Sequence, residues 1–202
     1  MNNLHYYSKN VGDLESKPAK FTYHIFEQTF TFNTDLGVFS KDYIDFGTQV
    51  MLKAFKPIES EFPILDMGSG YGPIGIIVSK LYNKQVIMCE INERAYNLSL
   101  KNIKENNADV IAYNSDLYEK ISDSTFSQII TNPPIRAGKD IVFKIYDGAY
   151  ERLIDNGELW VVIQKKQGMD SSKKHLLELF NNCQIIKKDK GYYILKSIKM
   201  PS

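Results

Sequence analysis

The chain has 202 residues, which is enough for one sizeable α/β domain or for a domain with a small extension. Its 43% hydrophobic and 24% charged residues are typical of a globular protein, and no apolar run approaches the ~18 residues that a membrane-spanning helix needs. The net charge of +1 does not by itself indicate a nucleic-acid-binding protein.

The basic residues are unevenly distributed. From Trp160 to the end of the chain, nine lysines face three acids, so this part is basic and the rest is net acidic. A phosphate-binding surface and a solvated lysine surface both fit this pattern. Cys89 and Cys183 lie in apolar, strand-like surroundings, which favours core thiols in a reducing environment, and a cytoplasmic location is expected. The first seven residues show no signal-peptide pattern.

The apolar periodicity changes along the chain. Residues 18–34 alternate as in a β-hairpin, a loop follows, and residues 46–55 have helical spacing. From residue 62 onward, short apolar runs alternate with amphipathic stretches, which predicts a parallel sheet covered on both faces. The predicted strands are 63–67, 85–91, 110–113, 126–131 and 159–164, and the predicted helices are 73–82, 93–106, 117–121, 141–153 and 172–180. Residues 184–187 and 192–199 predict a closing antiparallel hairpin.

The first predicted parallel strand runs into a glycine-rich turn. Its glycines Gly68, Gly70 and Gly72 would let the backbone approach a ligand closely. Taken alone, this pattern also fits NAD or FAD. Two details favour S-adenosylmethionine, which carries an ammonium and a sulfonium and no phosphate. Asp66 would repel a pyrophosphate, and Pro73 removes an N–H from the first turn of the helix that a phosphate would use.

Further acids and amides follow the next two strands. Glu90 lies twenty residues after Gly70, where a carboxylate accepts hydrogen bonds from ribose hydroxyls. Asn92 either assists it or caps the following helix. Asp116 and Leu117 are placed to bind adenine, through the carboxylate and a backbone N–H. The alternative for Asp116 is a capping box, because a glutamate follows three residues later.

The sequence Asn132-Pro133-Pro134 follows the fourth parallel strand. Consecutive prolines hold the backbone extended, so the Asn132 side-chain oxygen and the Pro133 carbonyl are expected to point at one spot. Two acceptors there would hold both hydrogens of an exocyclic amino group and direct the nitrogen lone pair at a methyl group. The alternative is a plain strand-terminating turn. No metal site is expected, because the histidines and cysteines are scattered.

These motifs together resemble a known family. The chain resembles the methyltransferases of the ribosomal RNA small-subunit methyltransferase C type, which make N2-methylguanine. The resemblance rests on the segments 37–40, 45–47, 65–72, 115–116, 131–134 and 157–160. It implies a Rossmann-like class I methyltransferase domain over residues 48–202, with a seven-stranded, mostly parallel sheet that ends in an antiparallel hairpin. Residues 1–47 would form an N-terminal extension with a β-hairpin and an active-site loop.

The resemblance also implies site residues. Phe39 and Ser40 would line the site near the methionine end of the cofactor. Pro134 and Ile135 would contact the substrate base, although relatives usually carry an aromatic residue where this chain has Ile135. Phe39 or Tyr71 would then supply the missing stacking surface. Family members resemble a tandem of two such domains, whereas this chain holds only the catalytic one, which leaves the target nucleotide open.

Four basic residues follow the ends of strands four and five. They are Arg136, Lys139, Lys165 and Lys166, and they are expected to contact RNA phosphates unless they are simply solvated.

The leading hypothesis is an S-adenosylmethionine-dependent methyltransferase that modifies the exocyclic N2 amino group of a guanine in small-subunit ribosomal RNA. One alternative is a protein glutamine or small-molecule N-methyltransferase on the same fold. Another is a non-catalytic RNA-binding assembly factor. Ribosomal RNA or the small ribosomal subunit is the expected partner, and the sequence leaves the oligomeric state open.

Overall fold

The N-terminal part of the protein contains a two-stranded antiparallel sheet. A computed structural model describes residues 15–201, and in it β1 (Ala19–Ile25) pairs with β2 (Gln28–Thr34). The alternation that predicted this hairpin has a physical reason. Phe30 and Phe32 of β2 are buried, whereas the residues between them are only half-buried. The predicted hairpin is therefore confirmed.

The remaining strands form one seven-stranded sheet. They are β3 (Ile64–Met67), β4 (Val86–Glu90), β5 (Val110–Asn114), β6 (Phe126–Thr131), β7 (Leu153–Gln164), β8 (Gln184–Asp189) and β9 (Tyr192–Ile198). Their order across the sheet is β5-β4-β3-β6-β7-β9-β8. Strands β3 to β7 run parallel, and β9 pairs antiparallel with both β7 and β8. This arrangement confirms the predicted mostly parallel sheet that ends in an antiparallel hairpin.

Within residues 15–201, five α-helices cover the two faces of the sheet. They are α1 (Phe46–Ala54), α2 (Pro73–Tyr82), α3 (Glu93–Asn106), α4 (Lys139–Arg152) and α5 (Met169–Phe180). One buried core cluster joins the N-terminal hairpin with α1, α2 and α3, and a second lies under α4 and α5. The protein is thus a three-layer α/β/α structure, as expected when parallel strands alternate with helices.

Two predicted elements differ from the structure. The stretch 117–121, predicted as a short helix, contains only a single 3₁₀ turn (Glu119–Ile121), because Leu117 has a φ of 48°, which is outside the helical region. Strand β7 begins at Leu153, six residues before the predicted start. Its first half contains the polar residues Asp155, Asn156 and Glu158, so the apolar run that began at Leu159 did not reveal it.

The N-terminal hairpin is fixed to α3 by side-chain amides. The Asn102 side chain accepts from Asn33 N at 2.7 Å and donates to Asn33 O at 3.0 Å and to Tyr71 O at 2.9 Å. Asn102 therefore links β2 to the glycine-rich turn that follows β3.

The boundary between an extension and the catalytic domain at residues 47 and 48 stays a prediction. Among residues 15–201, no helix is long and apolar enough to cross a membrane.

Candidate active site

The predicted site residues meet where the strand order reverses, between β3 and β6. The last residues of these strands pair with each other, and the Thr131 hydroxyl donates to Met67 O at 2.9 Å. The glycine-rich turn and Asn132-Pro133-Pro134 therefore leave the sheet side by side. A crevice at the carboxyl ends of the strands, at such a reversal, is the usual ligand site of open α/β sheets.

The glycine-rich turn forms a cradle with free space above it. Gly68 and Gly70 have φ values of 73° and 58°, and a Cβ atom on either would meet nothing within 4 Å. The turn is tied down from below, since Gly68 N and Ser69 N both donate to Cys89 O. The backbone is thus held in a left-handed shape that glycine adopts at little cost, with its open side toward the crevice.

Asp66 lies beneath this cradle with one oxygen unpaired. Its Oδ2 accepts from Gly75 N at 2.8 Å, whereas Oδ1 is buried without a partner among the described residues, as is the Ser69 hydroxyl. Burial raises the pKa of Asp66 to about 7, against the hydrogen bond from Gly75 N, and nearby Glu90 adds to the rise. Buried polar atoms without partners are rare and costly, so these two fit a site that a polar ligand completes.

Glu90 ends β4 and faces the turn, as its spacing predicted. One carboxylate oxygen accepts from Gly70 N at 2.7 Å, and the other accepts from Asn92 N at 2.8 Å. Burial raises the pKa of Glu90, and backbone hydrogen bonds from Asn92, Gly70 and Ile91 oppose that rise. An ionised carboxylate has about four acceptor positions, so Glu90 retains capacity for a ligand hydroxyl.

A small open cleft lies next to Glu90. It is lined by Met67, Gly68, Cys89, Glu90, Ile91, Ser115, Leu117, Pro134 and Ile145. The walls are mostly apolar, and Glu90 lies at one side, which suits a flat ring attached to a ribose. Pro134, predicted to contact substrate, therefore lines the side of the crevice predicted for the cofactor. Ile145 of α4 also lines the cleft. The sequence analysis did not identify it, because its pattern is that of an ordinary apolar helix position.

The sequence left open whether Asp116 and Asn92 cap the elements that follow them, and the structure shows which residues do so. The 3₁₀ turn that begins at Glu119 has Tyr118, rather than Asp116, at its N-cap position. The side chain that ties this turn is Ser115, whose hydroxyl accepts from Lys120 N at 3.1 Å. The Asn92 side chain accepts from Ala95 N at 3.0 Å and caps α3. Cofactor contacts by Asp116, Leu117 and Asn92 stay predictions.

The Asn132 carboxamide is held in one orientation by Asp45, the N-cap residue of α1, and by Thr48 in the first turn of that helix. Its Nδ2 donates to Asp45 Oδ2 at 2.9 Å and to the Thr48 hydroxyl at 3.1 Å. A carboxylate only accepts hydrogen bonds, so the nitrogen of the amide must face Asp45 and the oxygen must face away. No donor among residues 15–201 reaches Asn132 Oδ1. The sequence did not predict these partners, because Asp45 lies 87 positions from Asn132.

Asp45 also begins α1. It is the N-cap residue, and its carboxylate accepts from Gly47 N at 2.9 Å and from Thr48 N at 3.1 Å. These bonds satisfy free N–H groups of the first turn, where a negative charge is also favoured by the helix dipole. The carboxylate that orients Asn132 is therefore itself fixed by a helix terminus.

The backbone after Asn132 is folded into a tight turn. Pro134 has φ −75° and ψ 78°, and Ile135 N donates to Pro133 O at 2.9 Å, which is an inverse γ-turn. One of the two acceptor positions of the Pro133 carbonyl is thus used within the protein, and one is left for a ligand. The Ile135 side chain is half-buried against the second core cluster, and its contact with a base stays a prediction.

The loop between β2 and α1 lies over the glycine-rich turn. The Tyr71 hydroxyl donates to Ser40 O at 3.2 Å and to Tyr43 O at 3.4 Å. Tyr71 is only 2% exposed, so the expectation that it stacks on a base is wrong. Phe39 of the same loop is 52% exposed and remains available for that role, and Ser40 has a φ of 55°.

The four predicted basic residues lie on the exposed rim. Arg136 is in the turn that follows Pro134, and Lys139 begins α4, with its Nζ 4.9 Å from the centre of the Phe143 ring. Lys165 and Lys166 follow directly after β7. All four side chains are solvent-exposed, so their contact with phosphates stays a prediction. The residues from 15 to 201 contain no cluster of His, Cys, Asp and Glu that would hold a metal ion.

Comparison with known proteins agrees with this geometry. The sequence profile of the family described as "Methyltransferase small domain" matches residues 29–196. The protein is 43% identical to the uncharacterized protein YbxB of Bacillus subtilis, over 97% of this chain and 98% of that protein. It is 28% identical to the ribosomal RNA small subunit methyltransferase C of Vibrio parahaemolyticus, over 88% of this chain and 52% of that protein.

Two further matches are another ribosomal RNA methyltransferase and a solved structure with the same fold. The ribosomal RNA large subunit methyltransferase G of Psychromonas ingrahamii is 26% identical over 94% of this chain and 51% of its own length. The structure of a T. thermophilus 16S rRNA N2 methyltransferase in complex with AdoMet and guanosine superposes with a TM-score of 0.83 at 24% identity, over 94% of this chain and 52% of that one. The chain thus spans about half the length of the ribosomal RNA methyltransferases that it matches.

Proposed function

The chain belongs to the Methyltransferase small domain family and is an S-adenosylmethionine-dependent methyltransferase, and we propose that its acceptor is the N2 amino group of a guanine in ribosomal RNA. The small subunit is the proposed site of that guanine. The observation that carries the proposal is the fixed Asn132 carboxamide, whose oxygen accepts from no donor within the described residues 15–201 and lies beside the cofactor crevice.

The residues of the crevice fit S-adenosylmethionine. The unpaired Asp66 Oδ1 and Ser69 hydroxyl and the open side of Gly68 and Gly70 leave room for polar groups of the ligand. Glu90 would accept from ribose hydroxyls, and the apolar cleft beside Leu117 would hold the adenine. When bound, this cofactor supplies a methyl group on a positively charged sulfur.

The acceptor is held by two oxygens of the chain. Asn132 Oδ1 and the free acceptor position of Pro133 O would each accept one hydrogen of the guanine amino group. The lone pair of that nitrogen is delocalised into the ring in free guanine, which makes it a poor nucleophile. Fixing both hydrogens pulls the nitrogen toward a tetrahedral shape and localises the lone pair. As positive charge develops on nitrogen, hydrogen bonds to both oxygens tighten, which favours the transition state over the ground state.

Asp45 and Thr48 supply the rigidity that this chemistry needs. By holding both hydrogens of Asn132 Nδ2, they keep Oδ1 directed at the acceptor site before substrate binds. The carboxylate of Asp45 also places a negative charge behind the amide, which makes its oxygen a better acceptor by polarising it. The conformational entropy of the amide is therefore lost when the protein folds, and not during the reaction.

A methyl-transfer assay tests the proposal. Purified protein and S-adenosylmethionine labelled in the methyl group are incubated with small ribosomal subunits, large subunits or protein extract from a strain in which the gene is deleted. We expect label in small-subunit RNA, released on nucleoside digestion as N2-methylguanosine. Label in glutamine or a small molecule supports the alternative acceptor. Label in large-subunit RNA places the target guanine in the large subunit instead of the small one. Asn132→Ala should lower kcat on the order of 10²-fold, with the cofactor dissociation constant from calorimetry unchanged. Wild-type turnover by this variant contradicts the role of Asn132.

A further inference from the structure

A strip of aromatic and lysine side chains lies beside Asn132 on the outside of the protein. We define the aromatic–lysine strip as Tyr43, Phe46, Tyr192, Lys190, Lys165 and Lys166. Tyr43 is 64% exposed, the other two aromatics are half-buried, and the three lysines are exposed. None of these residues is needed to hold the cofactor or to orient Asn132.

The strip is adjacent to Asp45, the residue that orients the Asn132 amide. Asp45, whose carboxylate is 2.9 Å from Asn132 Nδ2, lies between Tyr43 and Phe46 in the chain. The Phe46 ring is 5.8 Å from the Tyr192 ring, and Lys190 Nζ lies 4.9 Å from the centre of Phe46. Burial raises the pKa of Tyr192, and Asp45 and Tyr43 add to the rise because they lie near it.

This contact between α1 and β9 depends on a glycine. A Cβ atom at Gly47 would lie 2.6 Å from Cδ1 of Tyr192, so any larger residue would displace the ring. The absence of a side chain at Gly47 lets α1 approach the Tyr192 ring closely, and the two rings form one aromatic surface next to the site.

The lysines continue from the same surface. Lys190 occupies the tight turn between β8 and β9, and Lys165 N donates to the neighbouring Gly191 O at 2.8 Å. Lys165 and Lys166 directly follow β7, which is the strand next to β6, and β6 leads into Asn132. The hairpin turn and the end of β7 therefore present three positive charges along one edge of the site.

We propose that the aromatic–lysine strip binds the single-stranded RNA that flanks the target guanine. This inference rests on the proposed function and adds to it the path of the RNA on the protein. Aromatic rings stack on any base, and lysines contact the phosphates between them, which is how proteins hold single strands without reading their sequence. A guanine whose amino group reaches Asn132 must leave its stack, so its neighbours lie unpaired at the rim where the strip begins.

The same hairpin carries a matched control on its opposite face. Lys188 Nζ lies 5.4 Å from the centre of the Tyr193 ring, so it forms a lysine–aromatic pair like that of Lys190 and Phe46. Neighbouring residues of a strand point to opposite faces of the sheet, and Tyr193 packs with the core cluster under α5 whereas Tyr192 packs with the cluster of α1. Lys188→Glu changes the net charge by the same amount as Lys190→Glu does, but away from the site.

Binding of a fluorescein-labelled uridine 12-mer, measured by anisotropy at several salt concentrations, tests the proposal. This probe has no guanine, so its binding does not depend on recognition of a guanine at Asn132, and the contribution of the strip is read from the variants. We expect Lys190→Glu to weaken binding on the order of tenfold. It should also reduce the slope of log K against log salt concentration by about 0.7, which is the contribution of one phosphate contact on a single strand. Phe46→Leu should weaken binding by on the order of tenfold through lost stacking. Lys188→Glu should bind within about twofold of the wild type.

The outcomes separate this proposal from the proposed function. If Lys188→Glu and Lys190→Glu bind the 12-mer equally, or if the wild type prefers a duplex of the same length, the strip is not a single-strand site. Methylation of ribosomal subunits by the wild type still tests the function independently. With that substrate, Lys190→Glu should raise KM at least several-fold and leave kcat unchanged, while thermal melting shows that both variants are folded.

Discussion

The contact between Asp45 and Asn132 gives a prediction that separates orientation from simple stability. In Asp45→Ala, both carboxylate oxygens are removed. Asp45 Oδ2 accepts from both Thr48 N and Asn132 Nδ2, so α1 loses its cap and Asn132 loses its charged partner together. The Thr48 hydroxyl stays as a partner of Asn132, but a hydroxyl can donate or accept, so it does not distinguish the two ends of the amide. The Asn132 amide can then turn over, with its NH₂ group pointing at the acceptor site in place of its oxygen.

The size of the effect follows from these contacts. Loss of one fixed polar group that stabilises developing charge lowers kcat on the order of 10²-fold. Loss of the α1 cap costs stability of about 0.5–2 kcal/mol, which leaves the protein folded. Asp35→Ala is the matched control. Asp35 is also a buried acid that accepts hydrogen bonds from Ser16, Lys17 and Leu36, but it does not contact Asn132.

A double-mutant cycle decides whether Asp45 acts through Asn132. Single-turnover methylation is measured for the wild type, Asp45→Ala, Asn132→Ala and the double variant. If Asp45 works by orienting the amide, the double variant should be slower than the wild type by on the order of 10²-fold, as each single variant is. Multiplicative losses, on the order of 10⁴-fold in the double variant, would show that Asp45 acts independently and refute the orientation argument.

The remaining predictions concern the cofactor crevice. Glu90→Gln should weaken S-adenosylmethionine binding by roughly 1.5–3 kcal/mol in calorimetry, because a charge-assisted acceptor is lost, whereas the exposed Glu93→Gln should bind normally; equal affinities would remove Glu90 from the site. Asp66 has a pKa of about 7 in the folded protein, above its value of ~3.9 when unfolded, so the folded state holds the extra proton between these values. The free energy of unfolding should therefore fall as pH rises from about 4 to 7. Asp66→Asn should remove up to about 4 kcal/mol of that fall in urea titrations, and an unchanged pH slope would contradict the buried charge.

The sequence was sufficient for the parts of the site that lie close to strand ends. Asp66, Glu90 and Asn132 each end or follow an apolar strand, and parallel strands place their carboxyl ends at one edge. Their convergence therefore follows from the strand pattern alone. The hairpin of β8 and β9 was equally clear, since a glycine turn separates two apolar alternating runs.

The parts that the sequence did not reveal depend on contacts between distant segments. Asp45 carries an ordinary helix-capping signal, and nothing local shows that its carboxylate also holds Asn132. Tyr71 follows a glycine in a loop, where exposure was the natural expectation, yet it packs edge-on against Phe32 and is buried. Side-chain direction in irregular segments is set by tertiary packing, which a single sequence does not report.

The central claim is that the Asn132 oxygen and the Pro133 carbonyl together hold an exocyclic amino group. A crystal structure of the protein with S-adenosylhomocysteine and guanosine tests it directly. Both oxygens should lie ~2.7–3.2 Å from the guanine N2 atom, with Asn132 Nδ2 still bonded to Asp45. A guanine bound with its N2 away from residue 132, or an Asn132 amide turned toward solvent in that complex, would contradict the account.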